Sequence, residues 1–270
     1  MLKVNRSTKR YKPVVLPQDE AIVTEVIETA CNWGYVGYRM VTGIINIKRR
    51  FENKKPVNHK RVERIWREEG LKLPKKQQKR VRLFLNDGSC VRLRPERPNH
   101  VWSYDFMEDR TMDGRKLRFL NIIDEYRHLC IASIPRRSWR KSDLLEALAD
   151  AMMEHGVPEY IRSDNGPEFT AKAVREWLSG SGVLPTYIEP GSPWENGFIE
   201  SFNARMRLEF LNGELFGNLY EAQVLTARWR RRYNAERPHS SLGGRAPQSV
   251  IYPETPKTKT APPVSAASCQ

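Results

Sequence analysis

Cysteine is scarce in this chain of 270 residues: Cys31, Cys90, Cys130 and Cys269 lie far apart, with no Cys-x-x-Cys pair. Such spacing fits neither a disulfide framework nor a zinc ribbon, and a reducing, cytoplasmic setting is expected. Long hydrophobic runs are missing too. No stretch of about 18 apolar residues occurs, so no membrane span is expected. The basic N-terminus, Met1 to Arg10, has no hydrophobic run behind it and does not read as a signal peptide. Acidic charge is in deficit: 46 Lys and Arg face 32 Asp and Glu, a net charge of +14. A polyanionic partner follows, nucleic acid first.

The surplus is not evenly spread. Residues 1–98 carry 24 cations and 10 anions, whereas residues 99–270 carry 22 of each. A basic nucleic-acid-binding half joined to a differently built half is the expected organisation. In the first half, Asp19 to Trp33 shows an amphipathic stripe of Ile22, Val23, Val26 and Ile27, and Gly34 stops it. Tyr38 to Phe51 reads as a second helix. A third starts after Asn58, a good N-cap, and runs to Glu69 with Val62, Ile65 and Trp66 inward. Its other side offers Lys60, Arg64 and Arg67 at i, i+4 and i+7, with Arg61 beside them, to phosphates or base edges. A small all-α helix-turn-helix domain is therefore expected over residues 1–71. Residues 72–99 read as a basic linker, and residues 253–270, rich in Pro, Thr, Ser and Ala, as a disordered tail.

Residues 100–252 change period. Trp102, Tyr104 and Phe106 alternate with Ser103, Asp105 and Met107, which places Asp105 on the face opposite the aromatics. Leu117 to Ile123 and Leu129 to Ile134 continue an antiparallel meander. Ser142 is the expected cap of a helix over Asp143 to His155, and a short strand, Tyr160 to Ser163, ends at the breaker Asp164-Asn165-Gly166-Pro167. A helix from Lys172 to Leu178, a strand from Leu184 to Ile188 and a long helix from Pro193 follow. The order βββαβαβα predicts an α/β fold, a mixed five-stranded sheet flanked by helices.

The long helix carries two stripes. Ile199, Phe202, Met206 and Phe210 form the apolar one; Asn196, Glu200, Asn203 and Arg207 form the polar one. Ser192, Pro193 and Glu195 read as a capping box, which gives Glu195 a structural task. Asp105, Asp164 and Glu200 then supply three carboxylates on separate rigid elements. Hard oxygen ligands suit two Mg²⁺ ions, which clamp the attacking and leaving oxygens of a phosphoryl displacement. Asp109, Asp124 and Glu168 compete, but Asp109 and Asp124 sit near strand ends beside turns, where surface roles are expected.

The segments VWSYDF around Asp105, SDNGPEF at Ser163 to Phe169, PWENGFIESF at Pro193 to Phe202 and YNAERPHSSLG at Tyr233 to Gly243 resemble the B-frame transposases of bacterial insertion sequences. Thirty-five residues separate Asp164 from Glu200, the family's spacing, and WGYVGYRMV with NHKRVERIWREEGLK resembles its helix-turn-helix extension, although Met40 stands where a second arginine is usual. The resemblance implies an RNase H-like core similar to retroviral integrases. It also implies cleavage of double-stranded DNA at terminal inverted repeats and joining of the freed 3′-hydroxyl to target DNA. Asp105, Asp164 and Glu200 would hold Mg²⁺, with Mn²⁺ able to substitute, and Asn196 and Arg207 would contact DNA. No zinc is expected, because His59, His100, Cys31 and Cys90 are scattered. A homo-oligomeric active complex and an upstream A-frame product or fusion complete the expected partners. The competing readings are a catalytically silent DNA-binding remnant and an RNase H-type nuclease. The late helical Glu200 and the basic extension disfavour the nuclease.

Overall fold

The computed structural model describes residues 17–71, 93–163, 172–187 and 196–250. The expected tail, most of the expected linker, and Asp164, Glu168, Ser192, Pro193 and Glu195 lie outside these residues.

Among the described residues three helices come first: α1 (Pro17–Asn32), α2 (Tyr38–Phe51) and α3 (His59–Glu68). Their inward residues, among them Val26, Val41, Ile45, Val62 and Trp66, form a core of their own. The turn between α2 and α3 is fixed by Asn46, whose amide donates to the Val57 carbonyl (3.0 Å) and accepts from the Val57 N–H (2.7 Å). Asn58 caps α3 by accepting from the Lys60 N–H at 2.9 Å, as its side chain suggests.

The second part is a five-stranded sheet in the order β3-β2-β1-β4-β5. Strands β1 (Val101–Arg110), β2 (Lys116–Asp124) and β3 (Leu129–Arg136) form the antiparallel meander. Helix α4 (Lys141–His155) leads to β4 (Tyr160–Ser163), which lies parallel to β1, and α5 (Lys172–Gly180) leads to β5 (Leu184–Tyr187), parallel to β4. The α/β reading holds, with the mixed sheet it predicts. Helices α6 (Gly197–Glu209) and α7 (Leu219–Glu236) follow.

Strand alternation sorts side chains onto two faces. Trp102, Tyr104, Leu120, Ile122 and Ile131 face α4 and α5 in one apolar core. Met107, Phe119, Ile123 and Cys130 face α6 and α7 in a second. The Cys130 thiol, buried there, is pushed up to about 12 by desolvation.

Two expectations need correction. Helix α4 begins two residues earlier than Asp143, with Arg140 rather than Ser142 as N-cap, because the Asp143 carboxylate reaches back to accept from the Arg140 N–H at 2.8 Å. Asp124 is fully buried rather than a surface residue: it accepts from the N–H groups of Asn99 and Tyr126 and from Arg127 Nε at 2.7 Å. The turn after β2 folds back onto it, so a strand-end carboxylate becomes the staple of that turn.

The helical region meets the core at α7. Arg232 stacks 4.5 Å from the Trp33 ring centroid and donates to the Asn32 carbonyl. Gly43 passes so close to Pro238 that a Cβ there would lie 2.8 Å from the proline Cγ, so only glycine allows this approach of α2.

Candidate active site

Asp105 occupies the middle of β1, the central strand, on the face opposite Trp102, Tyr104 and Phe106. It is half-buried and does not stand alone. Asn203 Nδ2, from α6, donates to Asp105 Oδ2 at 2.8 Å. Asn121 Nδ2, from the β2 position opposite Asp105, donates to Asn203 Oδ1 at 2.8 Å. Ser133 Oγ, from β3, donates to Asn121 Oδ1 at 2.7 Å. Polar side chains from one helix and two strands thus end on one carboxylate, whose other oxygen accepts from the Phe106 N–H at 2.8 Å. Asn121 and Ser133 are buried, and there a complete chain of hydrogen bonds fixes orientation, while a broken one leaves a costly unpaired group.

Glu200 sits in the first turn of α6 and is exposed. It precedes Asn203 by three residues, so the two share a helix face with Cβ atoms about 5–6 Å apart. Because Asn203 touches Asp105, Glu200 lies within about a helical turn of the Asp105 edge. Four residues beyond Asn203, Arg207 donates to Asp109 Oδ2 at 3.2 Å and to the Glu108 carbonyl. Over four residues a helix advances about 6 Å and a strand about 13 Å, and the long arginine side chain closes that difference. Arg207, expected to face DNA, is therefore joined to β1 here, with 41% of its side chain exposed. Asn196, the other expected DNA contact on this helix, is buried at its N-cap, and its Oδ1 has no hydrogen-bond partner among the described residues.

Asp164 and the alternative Glu195 lie outside the described residues. The strand leading to Asp164 is described, and Arg162 on β4 pairs in register with Ser103 on β1. Its guanidinium forms a buried pair with Glu125 (2.7 and 2.8 Å) and donates to the Leu93 carbonyl at 2.9 Å, while Ser103 donates to the same Glu125. The side chains of Arg162 and Glu125 are 2% and 0% exposed. Ser103, which holds Glu125 from β1, lies two residues before Asp105, and Arg162 is the penultimate residue of β4. Breaking such a pair costs about 3–5 kcal/mol, because the remaining charge stays buried.

The YNAERPHSSLG segment braces α6 from behind. Tyr233 packs edge-on to Phe202 with centroids 5.1 Å apart, and Arg237 grips Glu209 at 2.6 and 2.8 Å. Asn234 closes on both the N–H and carbonyl of Cys130 at the edge strand β3. His239, stacked on His128 at 5.4 Å, is pushed down to about 2 by burial and then by the neighbouring Arg237.

On α3, Lys60, Arg64 and Arg67 are exposed and Arg61 is half-buried. Their face is less basic than its cations suggest: Arg67 pairs with Glu63 at 2.6 Å, and Arg64 approaches Glu68 at 3.9 Å.

Asn121, Ser133, Asn203 and the Arg162–Glu125 pair are the residues sequence reasoning left without a task. A signal existed for Asn121, a lone amide inside the apolar run FLNIID. Its meaning depends on strand register, which the sequence does not display.

A central carboxylate on a five-stranded mixed sheet, held by a helix that carries a second carboxylate, defines an integrase-type core. Integrase core domain families match residues 95–193 and 181–247, and an HTH-like domain family matches residues 17–80. The chain is 30% identical over 247 residues to the insertion element IS407 uncharacterized 31.7 kDa protein of Burkholderia multivorans, spanning 92% of this chain and 86% of that one. It is 25% identical over 223 residues to transposase InsD for insertion element IS2D of Escherichia coli, with 80% and 73% of the two chains covered. The simian T-cell lymphotropic virus intasome structure shares the fold, with a TM-score of 0.53 at 16% identity over 83% of this chain and 80% of that one. The chain belongs to the insertion-sequence transposases with an integrase-like core.

Proposed function

We propose that this transposase cuts DNA at the ends of its insertion sequence and joins the freed 3′-hydroxyl to target DNA, using Asp105, Asp164 and Glu200. The observation that carries the reading is the contact between Asn203 and Asp105, which ties the helix face bearing Glu200 to the central strand. Each step exchanges one phosphorus–oxygen bond for another. Water attacks the phosphorus at the element end and the 3′-oxygen leaves; that 3′-oxygen then attacks a target phosphodiester, and one of its bridging oxygens leaves. No external energy source is needed, and no side chain must act as nucleophile.

Divalent metal fits the donor set. Carboxylate oxygens are hard ligands suited to Mg²⁺, and the oxygens of Asp105 are oriented by Asn203 and by the Phe106 N–H. Asp105, Asp164 and Glu200 would hold the metal. When bound, it polarises phosphoryl oxygen and stabilises the attacking and leaving oxygens. Asn203 aims the Asp105 carboxylate, and the Arg162–Glu125 pair secures β1 to the strand that precedes Asp164. Lys60, Arg61, Arg64 and Arg67 bind the terminal repeat, and Asn196 and Arg207 lie near the path of the DNA end. The working unit is a homo-oligomer on two DNA ends, with an A-frame product as a further partner.

The test is Mg²⁺-dependent cleavage and joining on a terminal-repeat duplex by wild type, Asp105→Asn and Glu200→Gln. Loss of both activities in both variants, with DNA affinity retained, is the expected result. Full activity in either variant removes that residue from the site. A wild type that binds the repeat but never cuts it marks the chain as a silent DNA-binding remnant.

A further inference from the structure

The catalytic half is electrically neutral in total, yet its charge is not evenly placed. Residues 110–118 and 136–141 contain Arg110, Arg115, Lys116, Arg118, Arg136, Arg137, Arg140 and Lys141, and one carboxylate, Asp113. The sheet brings both segments to one end. Arg110 pairs with Lys116 across the β1–β2 hairpin, and Arg118 pairs with Arg136 across β2 and β3. Arg137 stitches the two segments together, donating to Thr111 Oγ1 at 2.8 Å and to the carbonyls of Arg115 and Lys116. The cations are also ordered. Arg118 stacks 4.0 Å from the Phe106 centroid and Arg136 stacks 4.8 Å from that of Trp139. The two rings lie 5.7 Å apart, and Trp139 Nε1 donates to the Arg118 carbonyl.

Carboxylates from neighbouring elements do not cancel this rim. Asp113 approaches Arg115, Glu108 pairs with Lys116, and Asp143 and Glu146 approach Arg136. Four anions against eight cations leave a surplus of positive charge, and Arg110, Arg140 and Lys141 are exposed.

We propose that this rim binds the target duplex by its phosphates. The inference rests on the transposase reading above and assigns the second DNA that joining requires. Five strand residues separate Asp105 from Arg110, about 16 Å. A duplex crossing that edge presents about nine phosphate charges over such a length. Stacked, weakly hydrated guanidinium groups are suited to phosphate oxygens. The rim consists of a hairpin turn and a helix start, with no free helix to enter a groove, so its contacts position the duplex without reading its sequence. That property suits a target, whose sequence varies, and leaves the terminal repeat to the helical domain.

The experiment uses the full chain carrying Arg110→Gln, Arg115→Gln and Lys141→Gln together, beside wild type. All three side chains are exposed, and an unchanged melting temperature confirms folding. Binding to a random-sequence duplex and to a terminal-repeat duplex is measured between 50 and 200 mM salt, on the order used to resolve counterion release. The expected result is roughly tenfold weaker binding of the random duplex, with a salt slope lowered by about 0.9 per lost contact. Terminal-repeat affinity falls less than about threefold, cleavage is kept within about twofold, and the target concentration for half-maximal joining rises about tenfold. Unchanged affinity and slope on random DNA overturn the proposal. Equal losses on both duplexes also overturn it, because the rim then holds the element end. If wild type neither cuts nor joins, the transposase reading fails, and the binding comparison still decides whether the rim holds sequence-neutral duplex.

Discussion

The two faces of the central sheet are built on different principles. Toward α4 and α5 the sheet presents Trp102, Tyr104, Leu120, Ile122 and Ile131, and the contact is mainly apolar. Toward α6 and α7 the apolar residues share space with Asp105, Asn121, Ser133 and Asn203, with the Arg162–Glu125 pair, and behind them with Arg237–Glu209. Apolar contact stabilises in proportion to buried area and tolerates repacking. Hydrogen-bonded chains tolerate little, since each group needs its partner at one distance and angle. One face holds the fold together; the other also aims a carboxylate. Substitutions on the two faces should therefore separate stability from chemistry.

The largest effect is expected at the carboxylates. Asp105→Asn should lower joining by at least about a thousandfold, near 4 kcal/mol in the barrier, while thermal unfolding and DNA affinity stay close to wild type. A comparable loss of stability with little loss of rate would erase the distinction between the faces. Next come the buried pairs. Arg162→Met should cost about 3–5 kcal/mol in denaturant unfolding, because Glu125 is left charged and buried, and Arg162→Met with Glu125→Leu should recover much of it. On the apolar face, Leu148→Ala should cost about 2–5 kcal/mol of stability and leave the rate per folded molecule unchanged. A rate loss there, measured on the folded fraction, would show that the site depends on both faces alike.

Much of this division was open to sequence reading, and some was not. The alternation of Trp102, Tyr104 and Phe106 with Asp105 announces which face is polar, and Asn58 announces the start of α3, because both signals are local. The start of α4 was less legible: Ser142 is the better capping residue by type, but the Asp143 carboxylate, accepting from the Arg140 N–H, decides it. Asp124 reads as exposed because a strand end beside a turn is usually solvated; only the fold-back of Asn99, Tyr126 and Arg127 buries it. Asn203, Asn121 and Ser133 meet through strand register and helix placement, which depend on contacts far apart in sequence. The basic rim was hidden by summation, since a neutral half can still separate its charges.

The smallest expected effect concerns pH. His128 and His239 are held below the ordinary imidazole value of 6.5, His239 at about 2 and each chiefly by burial. Both bind protons more readily when unfolded, so stability is complete above about pH 6.5 and declines as pH falls below it. At pH 5.5 His239 alone should cost about 1 kcal/mol, measurable by urea unfolding between pH 5.5 and 7.5. A flat profile would mean that water reaches the stacked rings.

The most direct test of the aimed carboxylate leaves the three carboxylates intact. Asn203→Ala removes the amide that donates to Asp105 and accepts from Asn121, and joining by the full-length protein is titrated with Mg²⁺ beside wild type. Removing a group that orients a metal ligand typically costs 10- to 100-fold in metal affinity. The half-maximal Mg²⁺ concentration should therefore rise by about tenfold or more, with recovery of the rate at saturating Mg²⁺, while the melting temperature falls by a few degrees because the buried Asn121 amide loses its acceptor. An unchanged Mg²⁺ requirement would contradict the account, because the polar face would then serve stability alone.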